Sequence, residues 1–336
     1  MRRVVVTGIG VVSALGNNAS DFWAAVSSGR SGIGPITKID TTDLRFKNAA
    51  EVRDFDASQH FDDKSLLWLD PFSHFGIVAA REAVADSRIK FTDALRDRSG
   101  VITGSCLGGK ETEDNLFSDL YGAKKGRFPP TTIPRAMSNA VASHVSMEHG
   151  LTGATFTIST ACSSANHAIG HAFWLVRQGT LDAAITGGSE APLTLGHLKA
   201  WESMRVVSPD TCRPFSKDRS GMILGEGGAM FVIETLDSAI TRGAKIYAEI
   251  TGFGMSADAH HLTMPLVEGA AKAMRGALSD GNTTPETVGY INAHGTATQA
   301  NDVMESNAIR LVFGEHADNI YVSSTKSMHG HALGAA

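Results

Sequence analysis

Short apolar runs, each closed off by glycine or polar residues, divide this chain into its first elements. Val4-Val5-Val6 is an uninterrupted apolar run that predicts a fully buried strand. Residues 20–28 then take a helical rhythm that turns Phe22, Trp23 and Val26 inward, and Gly29 stops it. Asp70 before Pro71 opens another helix, an N-cap followed by proline at the first helical position, for the run through Ala85. Residues 100–103, 155–158, 183–186, 229–233 and 290–292 read as further short strands. Between them, Ala165, Ala168, Ile169, Ala172, Phe173 and Val176 keep a helical apolar spacing through Gln178. Strands alternating with helices predict an α/β protein with covered sheets.

Val5-Val6-Thr7-Gly8-Ile9-Gly10 is echoed by Glu249-Ile250-Thr251-Gly252-Phe253-Gly254, each read as a strand entering a Gly-x-Gly turn. The echo predicts a duplicated fold with halves at residues 1–248 and 249–336. The second half is then much the shorter. Its last residues, Gly330-His331-Ala332-Leu333-Gly334-Ala335-Ala336, read as the beginning of a helix, so the expected gene product is longer.

Composition narrows the class. Apolar residues make up 42% and charged residues 19%, which suits a globular protein and not a disordered one. A net charge of -5 gives no electrostatic ground for a nucleic-acid partner. Arg2-Arg3 imitates the start of a signal peptide, but Thr7-Gly8 cuts the apolar run after three valines. No stretch approaches the roughly 18 apolar residues that span a bilayer, so a cytoplasmic protein is expected. Cys106, Cys162 and Cys212 are odd in number and fit a reducing compartment, where a cysteine matters for its reactivity.

The sharpest chemical signal is Ser159-Thr160-Ala161-Cys162-Ser163-Ser164-Ala165, which places Cys162 where a strand passes into a helix. Unpaired N–H groups and the positive end of the helix dipole there favour thiolate and can hold an oxyanion. Cys106 and Cys212 have no such setting and read as structural. Asn292-Ala293-His294-Gly295-Thr296-Ala297-Thr298 puts an imidazole at a strand's carboxyl end. Ser323-Ser324-Thr325-Lys326-Ser327-Met328-His329-Gly330-His331 repeats that character and adds a lysine. Nucleophile, two imidazoles and one ammonium make a constellation. A metal site among His260, His261, His294, His329 and His331 is a second reading, without His-Glu-x-x-His or Cys-x-x-Cys spacing behind it. A papain-like thiol hydrolase is a third, and leaves one histidine and Lys326 idle. Gly225-Glu226-Gly227-Gly228 imitates a phosphate loop but precedes a strand and not a helix.

Together these motifs resemble the β-ketoacyl-acyl-carrier-protein synthases of the elongating KAS I/II type, within the thiolase-like superfamily. Ala183 to Glu190, Arg213-Pro214-Phe215 and Gly252 to His261 carry the likeness along nearly the whole chain. The resemblance implies a layered α-β-α-β-α fold and decarboxylative condensation of an acyl thioester on Cys162 with malonyl-acyl carrier protein. It implies that His294 and His331 hold the malonyl thioester carbonyl, with Lys326 as a charge behind them. It places Thr296 and Thr298 on the phosphopantetheine arm, Leu107 at the acyl-pocket gate, and Glu305 near Lys326. Asp258 and His261 match a polar cluster behind the site. The phosphopantetheine arrives on the carrier protein, so no resident cofactor and no metal are implied, and a homodimer is.

Two departures stand out. His329 replaces the family's usual threonine, and the family's later Gly-Phe-Gly-Gly loop lies beyond Ala336. Ala191-Pro192 and Lys199-Ala200-Trp201-Glu202 are similar to nodulation-type condensing enzymes, which leaves a housekeeping, a specialised-lipid or a polyketide pathway open. A non-catalytic, chain-length-factor-like subunit is the remaining alternative, and the retained Cys162 speaks against it.

Overall fold

The computed structural model describes residues 1–124 and 126–336. Six strands form one mixed sheet: β1 (Val4–Ser13), β2 (Ser99–Gly104), β3 (Thr155–Ile158), β4 (Ala183–Glu190), β5 (Gly227–Thr235) and β6 (Ala248–Ile250). Their order is β3-β2-β4-β5-β1-β6. β2 runs parallel to β3 and β4, while β4, β5, β1 and β6 pair antiparallel in turn. Every residue of β2 and β4 is buried, which is why these strands read as apolar or small runs without alternation. A separate parallel pair, β7 (Tyr290–Asn292) and β8 (Tyr321–Ser323), leads into the two histidine loops.

Both faces of the sheet are covered. On one lie α2 (Pro71–Ser87) and α3 (Ala140–His149), whose Phe72, Phe75, Val78, Val141 and Val145 pack with Val101, Ile185 and Val232. On the other lies α4 (Ser164–Gln178), whose Ala168, Ala172, Phe173 and Val176 pack with Val4, Ile102, Ala184 and Ile233. Asp70 caps α2 as its sequence indicates, its carboxylate accepting the N–H of Phe72.

Two expectations change. In α1 (Ala19–Ser27) the buried residue is Ala25, and Trp23 is 68% exposed. Gly8 and Gly10 sit inside β1 and not in a turn after it. There they let the strand lie against α2, because a Cβ on either would collide with the carbonyls of Ala83 and Ala79. The same contact recurs in the echo: Gly252 and Gly254 meet Ala277 and Ala273 of α5 (Val267–Asp280). The last residues form a short 3-10 turn, Leu333–Ala335, after the four-residue helix Lys326–His329.

Candidate active site

Strand β3 delivers the nucleophile. After Ile158 the chain turns sharply, with Ala161 in the left-handed region at φ 51°, and enters α4 at Ser164. The turn is held by its own hydroxyls: Ser163 Oγ donates to the Thr160 carbonyl, and Ser164 Oγ donates to the Ala161 carbonyl and accepts the Thr160 N–H. Gly104, at the end of β2, lets this helix start seat directly on the sheet, since a Cβ there would collide with Ala165 N and Ser164. Cys162 is left half-buried at the mouth of the helix.

The second half of the chain supplies the imidazoles. His331 is 1% exposed, and its Nε2 lies 3.1 Å from the Cys162 sulfur. The His294 ring meets the His331 ring edge-on with centroids 5.3 Å apart. One ligating atom from each of Cys162, His294 and His331 falls within 4.8 Å of the other two. Short backbone bonds fix His331: its N–H donates to the Ile223 carbonyl at 2.7 Å and its own carbonyl accepts the Gly225 N–H at 2.9 Å. The glycine turn at residues 225–228 thus serves the histidine loop and not a phosphate.

The proton on His331 follows from its partners. The N–H of Leu333 donates to Nδ1 at 3.2 Å, and a backbone N–H can only donate. Nδ1 is therefore bare and the neutral ring carries its proton on Nε2, facing the sulfur. A papain-type base needs the reverse tautomer, with a carboxylate or amide behind Nδ1. This imidazole is a hydrogen-bond donor to whatever oxygen enters the site.

Electrostatics favour the same neutral state. Burial lowers the His294 imidazole to about 4, and the Lys326 charge adds to the effect. Burial, then Lys326, then the neighbouring imidazoles hold His331 well below the ordinary histidine range. Lys326 is itself 7% exposed and lowered by burial, with Glu305 opposing. For Cys162, burial raises the thiol and Lys326 pulls against it. The net direction is upward, because desolvation outweighs the lysine and the hydrogen bond from the residue's own N–H. One ammonium thus eases loss of the thiol proton and discourages protonation of the imidazoles. It also opposes a divalent cation among the three donors.

The other expected residues fall in three groups. Thr296 and Thr298 share a hydroxyl hydrogen bond of 2.9 Å in the loop after His294. Glu305, on α6 (Gln299–Phe313), accepts the N–H groups of His294 and Gly295 at 2.7 and 2.8 Å, so it holds the loop as well as facing Lys326. Leu107 packs with Leu193, Leu198, Leu224 and Leu333 in a small apolar cluster beside Cys106. Asp258 accepts the Leu266 N–H at the start of α5, and exposed His261 accepts the Thr263 N–H; neither joins the sulfur cluster. His329 donates to or accepts from Thr325 Oγ1 at 2.9 Å and faces Phe22, outside the trio.

Sequence reasoning passed over Asp302 and Glu190. Buried Asp302 accepts the N–H groups of Ala297 and Phe215, one turn of α6 before Glu305. Two acids at i and i+3 just after a Thr-rich loop were the available signal. Glu190, fully buried at the end of β4, accepts the Cys106 N–H, and burial raises its carboxyl to about 7.

Comparison with known proteins agrees with this geometry. The β-ketoacyl synthase N-terminal domain matches residues 1–239 and the β-ketoacyl synthase C-terminal domain matches residues 247–336. Nodulation protein E of a Rhizobium species is 45% identical over 335 residues, covering 100% of this chain and 83% of the relative. The 3-oxoacyl-[acyl-carrier-protein] synthase 2 of a Synechocystis species is 41% identical over 343 residues, covering 100% and 82%. Among solved structures, the ishigamide ketosynthase/chain length factor superposes with a TM-score of 0.94 at 35% identity, over 100% of this chain and 83% of that one. A cysteine turn on one half, two neutral imidazoles on the other, and both domain matches lead to one assignment: the chain belongs to the β-ketoacyl synthase family, the acyltransferase-type condensing enzymes of thiolase-like fold.

Proposed function

We propose that this protein is a 3-oxoacyl-[acyl-carrier-protein] synthase that lengthens acyl chains by decarboxylative Claisen condensation. The observation that carries the reading is the Nε2–H of His331 at 3.1 Å from the Cys162 sulfur, with the neutral His294 ring beside it. In the first half-reaction, Cys162 Sγ bonds to the acyl carbonyl carbon while the carrier's C–S bond breaks, and the carrier thiol leaves with the proton. In the second, the malonyl thioester oxygen sits between the two imidazoles. The bond to the carboxylate breaks, CO2 leaves, and its electron pair becomes an enolate that the two rings stabilise. The enolate carbon then bonds to the acyl carbonyl carbon, and the C–S bond to Cys162 breaks. The sulfur takes up one proton from solvent. Thr296 and Thr298 line the approach of the phosphopantetheine arm, and Leu107 bounds the acyl chain.

The nucleophile comes from residues 1–248, and the histidines and lysine from 249–336. Acyl carrier protein is the partner that this chemistry needs, and a similar structure is titled as a type II polyketide acyl-carrier protein in complex with its ketosynthase. A homodimer fits the short outer strand β3, whose free edge and 37% exposed Phe156 suit pairing with a second copy. Among the described residues no helix is long and apolar enough to cross a membrane, in keeping with a cytoplasmic setting. The 45% identity to nodulation protein E favours one second reading, a specialised lipid pathway.

The test mixes purified protein with acyl- and malonyl-acyl carrier protein and follows 3-oxoacyl-carrier protein by mass spectrometry. Product should form, Cys162→Ser should abolish it, and the length and unsaturation of the favoured acyl group separate the two pathways. No product, or near-normal turnover in Cys162→Ser, would end the proposal.

A further inference from the structure

Residues 212–220 form a loop that leans on the His294 loop, and one residue in it is out of character. Phe215 has φ 62°, a left-handed conformation that is an outlier for a bulky aromatic. Its N–H donates to one oxygen of Asp302 at 2.6 Å, while the other oxygen accepts the N–H of Ala297 at 3.1 Å. Ala297 is left-handed too, at φ 64°. One buried carboxylate thus pins two left-handed residues on two loops.

This backbone brings the Phe215 ring onto Gly295, the residue after His294. A Cβ on Gly295 would lie 3.0 Å from the ring's Cε2 and would collide with Ser324 on another side. Phe215 also borders a partly open cavity of about 190 Å³, shared with Ile309 and Val322. Phe215 is therefore only partly enclosed. Its left-handed backbone and the bond to Asp302 decide where it rests. A turn that only had to change direction would take glycine or asparagine at such a φ.

We propose that Phe215 is a positioning residue for decarboxylation, its ring bracing Gly295 so that the His294 imidazole stays against His331 and Cys162. The proposal rests on the condensing reaction set out above. His294 serves the malonyl carbonyl and takes no part in acyl transfer to sulfur, so loss of the brace separates the two half-reactions.

The experiment measures them independently on the whole protein. Acylation of Cys162 from acyl-carrier protein is read by intact mass, and decarboxylation of malonyl-carrier protein by the acetyl-carrier protein formed. Phe215→Ala should slow decarboxylation roughly 10- to 100-fold, the scale of an ångström misplacement, with acylation near the wild-type rate. Phe215→Trp, which restores a flat ring, should recover most of the loss. Should Phe215→Ala not stay folded, Phe215→Leu keeps apolar bulk without the flat ring and carries the same expectation. Equal losses in both half-reactions, or unchanged decarboxylation, overturn the proposal. Wild-type protein that acylates but never decarboxylates sinks the condensing reaction itself, and this assignment with it.

Discussion

Cys162 and Lys326 share one electrostatic problem. Burial raises the thiol and lowers the ammonium, so each needs the other to be charged. Removing the ammonium with Lys326→Met should raise the thiol further and slow iodoacetamide labelling of Cys162 at pH 8 about tenfold, one pKa unit's worth of thiolate. Lys326→Arg should keep most of the rate. In the wild type, label should enter Cys162 before the other thiols. Burial and the neighbouring Glu190 push Cys106 far above the usual range, and burial pushes Cys212 up to about 11. Mass spectrometry of peptides checks both points, and label entering Cys106 first would count against the assignment. Cys162 was legible in sequence because its signal is local: a strand, a small hydroxyl-rich turn and a helix in one stretch. Asp302 was not, because its role lies in which distant N–H groups it meets. The direction of the thiol shift was also hidden, since burial is a property of the whole fold.

At the scale of elements, the junction of β2 with α4 governs where the sulfur sits. Gly104→Ala drives a Cβ into Ala165 N and Ser164, and backbone there cannot yield as a flexible side chain would. The substitution should lower stability by about 1–3 kcal/mol, the usual cost of overpacking, and should reduce Cys162 labelling more than the melt alone accounts for. Thermal unfolding beside labelling kinetics at a temperature where both proteins are folded separates the two effects. Strands such as 155–158 and 290–292 were read at their true bounds because β-branched runs with polar flanks leave few other choices. α1 misled because its Phe22, Trp23 and Val26 have the right period, yet small Ala25 is what fits against β1. The glycines of β1 read as a turn because nothing local reveals a helix lying across the strand.

The whole molecule stores several histidines uncharged. Burial holds His74, His197, His294 and His329 down to about 4, and His331 well below its ordinary value. Each has its ordinary value near 6.5 when unfolded, so between about 6.5 and 4 the unfolded chain binds more protons. Stability from these five is complete above 6.5 and is lost as pH falls toward 4, by up to about 1.4 kcal/mol per pH unit for each. Asp70, raised by burial to about 6, Glu190, raised to about 7, and Glu226, also raised, act in the opposite sense and are fewer. The melting temperature should therefore fall between pH 7 and pH 5, and a rising melting temperature over that interval would refute the balance. That the two histidine loops meet at one sulfur was suggested by their shared small, hydroxyl-rich character and made specific by the resemblance, although 169 residues separate Cys162 from His331.

The bond from Leu333 N–H to His331 Nδ1 has a kinetic consequence. A neutral imidazole N–H is a weaker acid than an enol, so the ring shares its hydrogen with the incoming oxygen and keeps it while carbon dioxide departs. No hydrogen nucleus is then in flight during that bond cleavage. Malonyl-carrier protein should lose its carboxylate at nearly the same rate in heavy water as in ordinary water, once both are compared on the flat part of the pH profile. A large solvent isotope effect on that step would mean the ring moves its hydrogen after all.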